Sequence, residues 1–419
     1  MSVTVGGEGR RRQGGGEGRR VATEAGLRGK FRLARSMIKL KVMKTLNKDL
    51  KLYDLPQRTL IKKESDIYEV AKLFPEKVRG EFLGWYEGYR AQVTAPKPQG
   101  AGLSMEELMV IFNRIVDRMI LLSLMPYKFE SRHEKMEGPG YDYFQFGQEY
   151  VRPLVDWDNS YIRNMELWDE AIAQVGRGEN VVLLANHQTE ADAAFLPLFF
   201  EQYNPEFGRQ VYYVAGDRVV SDPLAQPFSM GRNLFCVHSK KYIDSEPDPE
   251  VKTAKSKQNR KTLTEMTKAM KEGGVLVWIA PSGGRDRLKP DSGEPLPADF
   301  DPAAVELMRN LGAKSGRPTH LYPMAMATYS IMPPPSGINT SGLGEERITK
   351  FTGCAISLAK PIDQSEEASW RAEGDDPKVA LAKLAQDLAT EEYKILQPVM
   401  VDFKQEGFVV PNGVQPWKK

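Results

Sequence analysis

The sequence predicts an α/β protein: a larger domain with a mixed, largely parallel sheet covered by helices, plus a small N-terminal helical bundle domain. Three observations point there. Beyond Gly138-Pro139-Gly140, short apolar runs alternate with helical segments, the rhythm of a sheet covered on both faces. Before it, apolar residues recur at helical spacing. The composition, 41% hydrophobic and 27% charged over 419 residues, is that of a globular chain able to bury a large core. The boundaries expected are a basic leader over 1–48, a helical domain over 49–135 and a catalytic α/β domain over 136–419.

The leader holds thirteen Lys and Arg against three Glu, a net of +10, which leaves 45 basic and 53 acidic residues for the rest. Its first half, with Arg10-Arg11-Arg12, Gly14-Gly15-Gly16 and Arg19-Arg20, has the composition of a disordered segment. From Leu27 to Lys48, eight Lys and Arg mix with Phe31, Leu33, Ile38, Leu40, Val42 and Leu46, with no acid. A transit peptide, a helix making peripheral membrane contact and a solvated basic arm all fit that pattern. The remaining body is mildly acidic, so bulk nucleic-acid affinity is not implied and any anion site must be a local cluster. No apolar run approaches the roughly 18 residues of a membrane span. Two cysteines, Cys236 and Cys354, are too few for a disulfide framework and suit a reducing compartment. Both sit in apolar runs and read as buried and structural.

In the helical part, Ser104 with Glu107 three residues on forms a capping box. Leu108, Ile111, Phe112, Ile115, Val116, Met119 and Ile120 then follow at helical spacing. Ala95-Pro96-Lys97-Pro98-Gln99-Gly100 breaks the chain before it. In the α/β part, strands are expected at Val181–Ala185, Val211–Ala215, Leu234–His238, Val275–Ala280, His320–Ala327 and Cys354–Leu358. Helices are expected at Ala191–Phe200 and Lys255–Lys271, the latter stopped by Gly273-Gly274.

Ligands of such sheets bind beyond the carboxyl ends of strands, and the chemistry-bearing residues cluster there. Asn186-His187-Gln188-Thr189-Glu190-Ala191-Asp192 follows the first strand. A carboxylate within reach of an imidazole fixes its tautomer and stabilises its cation, the core of an activated-hydroxyl mechanism. Alone, His-x4-Asp is a common spacing, and Asp192 could simply solvate a helix's first turn. Pro281-Ser282-Gly283-Gly284-Arg285-Asp286-Arg287 follows the Val275–Ala280 strand. Gly283 and Gly284 let backbone N–H groups face a ligand, and Arg285 and Arg287 make a phosphate or carboxylate clamp. The competing reading is a solvated Arg-Asp-Arg surface turn. Lys240-Lys241-Tyr242 adds positive charge after a third strand. Ala215–Leu224 and the stiff Ile331-Met332-Pro333-Pro334-Pro335-Ser336 close two more. Gly312-Ala313-Lys314-Ser315 lacks the second glycine of a phosphate loop, and no Gly-x-Ser-x-Gly elbow or metal-ligand spacing occurs. His133 and His320 read as structural; His238 is left open.

Together, Asn186–Asp192 (NHQTEAD), Ala215–Leu224 (AGDRVVSDPL), Ile279–Arg287 (IAPSGGRDR) and Ile331–Ser336 (IMPPPS) resemble the soluble, plastid-type glycerol-3-phosphate acyltransferases. The likeness runs from about 130 to the C-terminus, including Tyr143–Leu154 and Gln415-Pro416-Trp417. It implies a helical bundle before an α/β domain, and acyl transfer from acyl-acyl carrier protein, or acyl-CoA, to the 1-hydroxyl of glycerol 3-phosphate. It also implies His187 as base, Asp192 as its partner, and Lys241, Arg285 and Arg287 on the substrate phosphate. The acyl donor is a co-substrate; no cofactor or metal is implied. Tyr242 departs from the family, where a histidine stands in that cluster; its hydroxyl can still donate a hydrogen bond but brings no positive charge. Backbone donors near Asn186 or in the Gly283-Gly284 loop are both open as the oxyanion site. The location implied is the plastid stroma, or a bacterial cytoplasm if the leader is no transit peptide. A lysophosphatidate-type acyltransferase shares the His-x4-Asp core, and a non-catalytic acyl carrier protein or lipid-surface binding protein is the alternative outside enzymes.

Overall fold

A computed structural model describes residues 55–74, 76–222, 224–239, 243–335, 347–365, 368–371 and 376–418, with scattered positions between 35 and 50. The leader expectations fall almost wholly outside these residues. Among the described residues nine strands form one mixed sheet: β1 Arg132–His133, β2 Tyr161–Arg163, β3 Asn180–Ala185, β4 Tyr212–Ala215, β5 Asn233–Cys236, β6 Leu276–Ile279, β7 Thr319–Ala327, β8 Ala355–Leu358 and β9 Gly413–Val414. Their order is β1-β5-β4-β6-β3-β7-β8-β2-β9. The run β5-β4-β6-β3-β7 is parallel throughout, whereas β1, β8 and β9 each pair antiparallel with a neighbour.

The longer helices are α1 Glu64–Ala71, α2 Glu76–Thr94, α3 Met105–Leu124, α4 Tyr143–Val151, α5 Met165–Gly176, α6 Asp192–Phe200, α7 Pro249–Glu272, α8 Pro302–Ser315 and α9 Pro377–Leu396. None is long and apolar enough to cross a membrane. Strand pleating distributes the sheet's apolar side chains between two layers. Val181, Leu183, Leu276 and Trp278 join the cluster that also holds α4 and α6 residues. Val182, Leu184, Val277 and Ile279 join the other, with Met266, Ala269, Met308, Leu381 and Ala385 from α7, α8 and α9. Both faces are therefore buried, which is why these strands read as unbroken apolar runs.

The helices α1 to α3 pack on the first layer. The α3 capping box is present: Glu107 N–H donates to Ser104 Oγ at 3.2 Å, and Ser104 N–H to Glu107 Oε2 at 2.8 Å. Trp85 Nε1 donates to Tyr150 Oη at 2.5 Å and Tyr89 Oη to the Tyr150 carbonyl at 2.7 Å, fastening α2 to α4.

Two boundaries differ from expectation by more than one residue. β5 ends at Cys236 rather than His238, because Asn259 of α7 takes over His238: its Oδ1 accepts from the His238 N–H at 2.8 Å and its Nδ2 donates to the His238 carbonyl at 2.9 Å. The helix α7 starts at Pro249, capped by Asp248, and stops at Gly273, whose φ of 84° only glycine adopts readily. The strands β1, β2 and β9, two or three residues each, were not expected.

Candidate active site

The strands β6, β3 and β7 are parallel neighbours, so the residues that follow each of them arrive at one edge of the sheet. Asn186 extends the β3–β7 ladder with its side chain. Its Oδ1 accepts from Met326 N–H at 2.8 Å and its Nδ2 donates to the Met326 carbonyl at 3.1 Å. The second proton of Nδ2 goes to Asp286 Oδ2 at 3.0 Å. Every polar atom of the amide is thus committed, and the residue before His187 is fixed.

His187 Nδ1 lies 2.8 Å from Asp192 Oδ2. That oxygen also accepts from the backbone N–H groups of Gln188 at 2.7 Å and Thr189 at 3.2 Å, while Thr328 Oγ1 donates to Oδ1 at 2.7 Å. Four donors converge on one carboxylate, which matches the acceptor capacity of its ionised form. Nδ1 is then the donor and the imidazole lone pair falls on Nε2. Among the described residues nothing bonds Nε2, and the ring is 25% exposed. Trp278 of β6 meets it edge to face, ring centroids 5.6 Å apart. Asp192 is 2% exposed, so the reading in which it solvates a helix's first turn is overturned.

On the arginine loop, Gly283 has a φ of 69° and spends its N–H on the Ala280 carbonyl at 3.0 Å, which removes it as an oxyanion donor. A Cβ at Gly284 would touch nothing within 4 Å, so space beside this loop is open. Arg285 Nη1 lies 3.6 Å from Glu190 Oε1, and Arg287 Nη1 donates to the Pro335 carbonyl. Asp286 is fully buried, and the surface-turn reading of Arg-Asp-Arg is overturned. Its Oδ1 accepts from Ala298 N–H at 2.9 Å, and its own N–H donates to the His187 carbonyl at 2.5 Å. Burial pushes its carboxyl up to about 7, against the pull of the Ala298 and Asn186 donors.

The structure therefore brings together His187, Asp192 and the loop of Gly283, Gly284, Arg285 and Arg287. Lys241 and Tyr242 lie outside the described residues. Sequence reasoning missed Thr328, Asp286 and Arg347. The last donates through Nε to Glu190 Oε2 at 3.0 Å and lies 3.5 Å from Asp222 Oδ2, tying the first motif to the one after β4. Only the motif positions of Glu190 and Asp222 hinted at this; Arg347 has no local signature.

The other histidines are held elsewhere. His133 is buried between Tyr127 Oη at 3.0 Å and the Met230 carbonyl at 3.2 Å, and burial lowers its pKa. His320 pairs with Glu179 at 2.8 Å and His238 with Asp217. Burial raises the Cys236 thiol to about 12 and Cys354 well above its usual value, so neither offers a thiolate. Among the described residues no group of three or more His, Cys, Asp or Glu could hold a metal ion. The arrangement can take a proton from a neutral nucleophile at Nε2 and hold the resulting imidazolium against a buried carboxylate.

Residues 162–327 match a family model described as Acyltransferase. Over 338 residues the chain is 40% identical to a chloroplastic glycerol-3-phosphate acyltransferase of Arabidopsis thaliana, covering 80% of this chain and 71% of that one. It is 36% identical over 361 residues to the Spinacia oleracea protein of the same name, covering 85% and 74%. The Pisum sativum protein is 39% identical over 337 residues, covering 80% and 73%.

Proposed function

The chain belongs to the chloroplastic glycerol-3-phosphate acyltransferases, and from that premise we propose how it works: it moves a fatty acyl group from acyl-acyl carrier protein, or acyl-CoA, to the 1-hydroxyl of glycerol 3-phosphate. His187 Nε2 takes the hydroxyl proton as the oxygen attacks the thioester carbonyl. The tetrahedral oxyanion collapses, the carbon–sulfur bond breaks, and the departing thiolate recovers the proton from the imidazolium. The products are 1-acylglycerol 3-phosphate and the free thiol. The observation that carries this reading is the Asp192 carboxylate, buried and saturated with donors, which fixes Nδ1 as the protonated nitrogen and leaves Nε2 basic. Base catalysis of this kind supplies about 10²–10⁴-fold, so positioning and oxyanion stabilisation supply the rest.

In this reading Arg285, Arg287, Lys241 and the Tyr242 hydroxyl hold the substrate phosphate, and the Gly284 N–H is the remaining loop donor for the oxyanion. The enzyme works in the plastid, in the stroma, with residues 1–48 as transit peptide. Purified protein offered labelled glycerol 3-phosphate, lysophosphatidate or glycerol, each with both acyl donors, tests the assignment. Acylation of glycerol 3-phosphate alone, faster from the carrier protein, is expected. Acylation of lysophosphatidate instead, or of none, overturns it.

A further inference from the structure

Asp286 is a buried acid that the proton transfer does not use. It sits between the two arginines in sequence, yet its carboxylate faces inward, to Asn186 Nδ2 at 3.0 Å and Ala298 N–H at 2.9 Å. Both partners are obligate donors. Asn186 cannot turn its amide over, because Oδ1 and Nδ2 are matched to Met326 N–H and carbonyl. Ala298 offers a backbone N–H. An ionised carboxylate, a strong acceptor at both oxygens, satisfies the arrangement best. The backbone N–H of Asp286 meanwhile reaches the His187 carbonyl. One residue therefore joins three parts: the end of β3 that presents the base, the arginine loop, and the 295–298 segment, whose Pro295 carbonyl accepts from Gln188 Nε2 at 3.1 Å.

We infer that Asp286 is a positioning residue for the acyl transfer: its carboxylate registers the Arg285–Arg287 loop against His187, so that the bound phosphate and the base are set at a fixed separation. The inference rests on the functional reading above. The groups that face Asp286 are His187 and Asp192 from the turn after β3, Tyr329 from the turn after β7, and Tyr393 from α9. Burial holds its carboxyl near neutrality, so the latch is made as the pH rises through about 7. A proton on either oxygen turns it into a hydroxyl, a much weaker acceptor, and loosens one of the two bonds.

The experiment combines kinetics with a readout that needs no turnover. In the wild-type enzyme, log kcat/KM for glycerol 3-phosphate against pH should fall on the acid side with a limb steeper than a slope of one around pH 7, where Asp286 takes up its proton. In Asp286→Asn the slope should drop to about one. Its kcat/KM at pH 8 should fall about 30-fold, since the amide must set its NH₂ against Asn186 or Ala298, with KM for the acyl donor within about twofold. The His187 ring proton, followed by NMR without substrate, should show two inflections in the wild type and one in Asp286→Asn.

A folded Asp286→Asn enzyme within about threefold of wild type with an unchanged acid limb overturns the inference. If the variant does not fold, a single inflection for wild-type His187 and a slope of one overturn it equally. A wild-type protein with two inflections but no transfer to glycerol 3-phosphate sinks the functional reading and leaves the latch standing.

Discussion

Among the described residues, buried carboxylates occur in two regions, and only one of them reads as a site. In the N-terminal helices, Asp117 of α3 is fully buried, pairs with Arg58 Nε at 2.5 Å and accepts from Tyr141 Oη. Beside it Arg118 is enclosed by the rings of Tyr141 and Tyr143, each 5.0 Å away, and Phe146, at 4.3 Å. At the sheet edge, Asp192 is 2% exposed but among the described residues has no Lys or Arg partner; its donors are two backbone amides, a threonine hydroxyl and an imidazole. Asp117 has its counter-charge already. Asp192 carries a negative charge whose natural counter-charge appears only when His187 takes a proton. Burial alone therefore does not mark a site; a buried charge whose balancing charge forms during the reaction does.

That contrast can be broken by replacing both aspartates. Asp192→Asn should lower kcat by about 10³-fold or more, because an amide cannot accept from all four donors and the ring loses its orientation. Asp117→Asn should leave kcat per folded molecule within about twofold while costing about 2–4 kcal/mol of stability, the penalty of taking the paired carboxylate away from the half-buried Arg58 and from Tyr141. Urea melts and active-site-normalised rates of the two variants separate these outcomes. Equal losses of rate would erase the distinction between the regions.

Asp286 sharpens it through pH. Its folded pKa, about 7, lies above the unfolded carboxylate value near 3.9, so the folded state binds its proton more tightly. Its contribution to stability is complete below pH 4 and is lost as pH rises to about 7, by up to about 4 kcal/mol in total. The unfolding free energy of wild type minus that of Asp286→Asn should fall as pH rises from 5 to 8, because only the wild type carries the titrating carboxyl; parallel curves would remove the buried acid from the account. Smaller again, Arg285→Ala and Arg287→Ala should each raise KM for glycerol 3-phosphate by about 10–100-fold and leave KM for the acyl donor nearly unchanged. Equal effects on both substrates would argue against the phosphate clamp.

How much of this the sequence disclosed follows from the range of the interactions. β3, β6 and β7 were legible because strands buried on both faces are unbroken apolar runs. β1, β2 and β9 were not, since two or three residues cannot display a period. His187 and Asp192, five positions apart, showed as a local motif, and so did the arginine pair. Their supports did not: Thr328 reaches Asp192 across 136 residues, Asp286 reaches Asn186 across 100, and Met326 reaches Asn186 across 140. Only the parallel stacking of three strands brings them to one edge. Nor could composition tell that Asp286 points inward while its arginine neighbours remain with Glu190 and Pro335.

The most direct test of the central claim is kcat of His187→Ala at saturating glycerol 3-phosphate and acyl donor, with the melting temperature taken on the same sample. The ring is a quarter exposed and its removal leaves Asp192 three of its four donors, so Tm should stay within about 4 °C. Turnover should fall by about 10³-fold or more. A folded variant retaining a tenth or more of the wild-type rate would show that the proton leaves by another route and contradict the account.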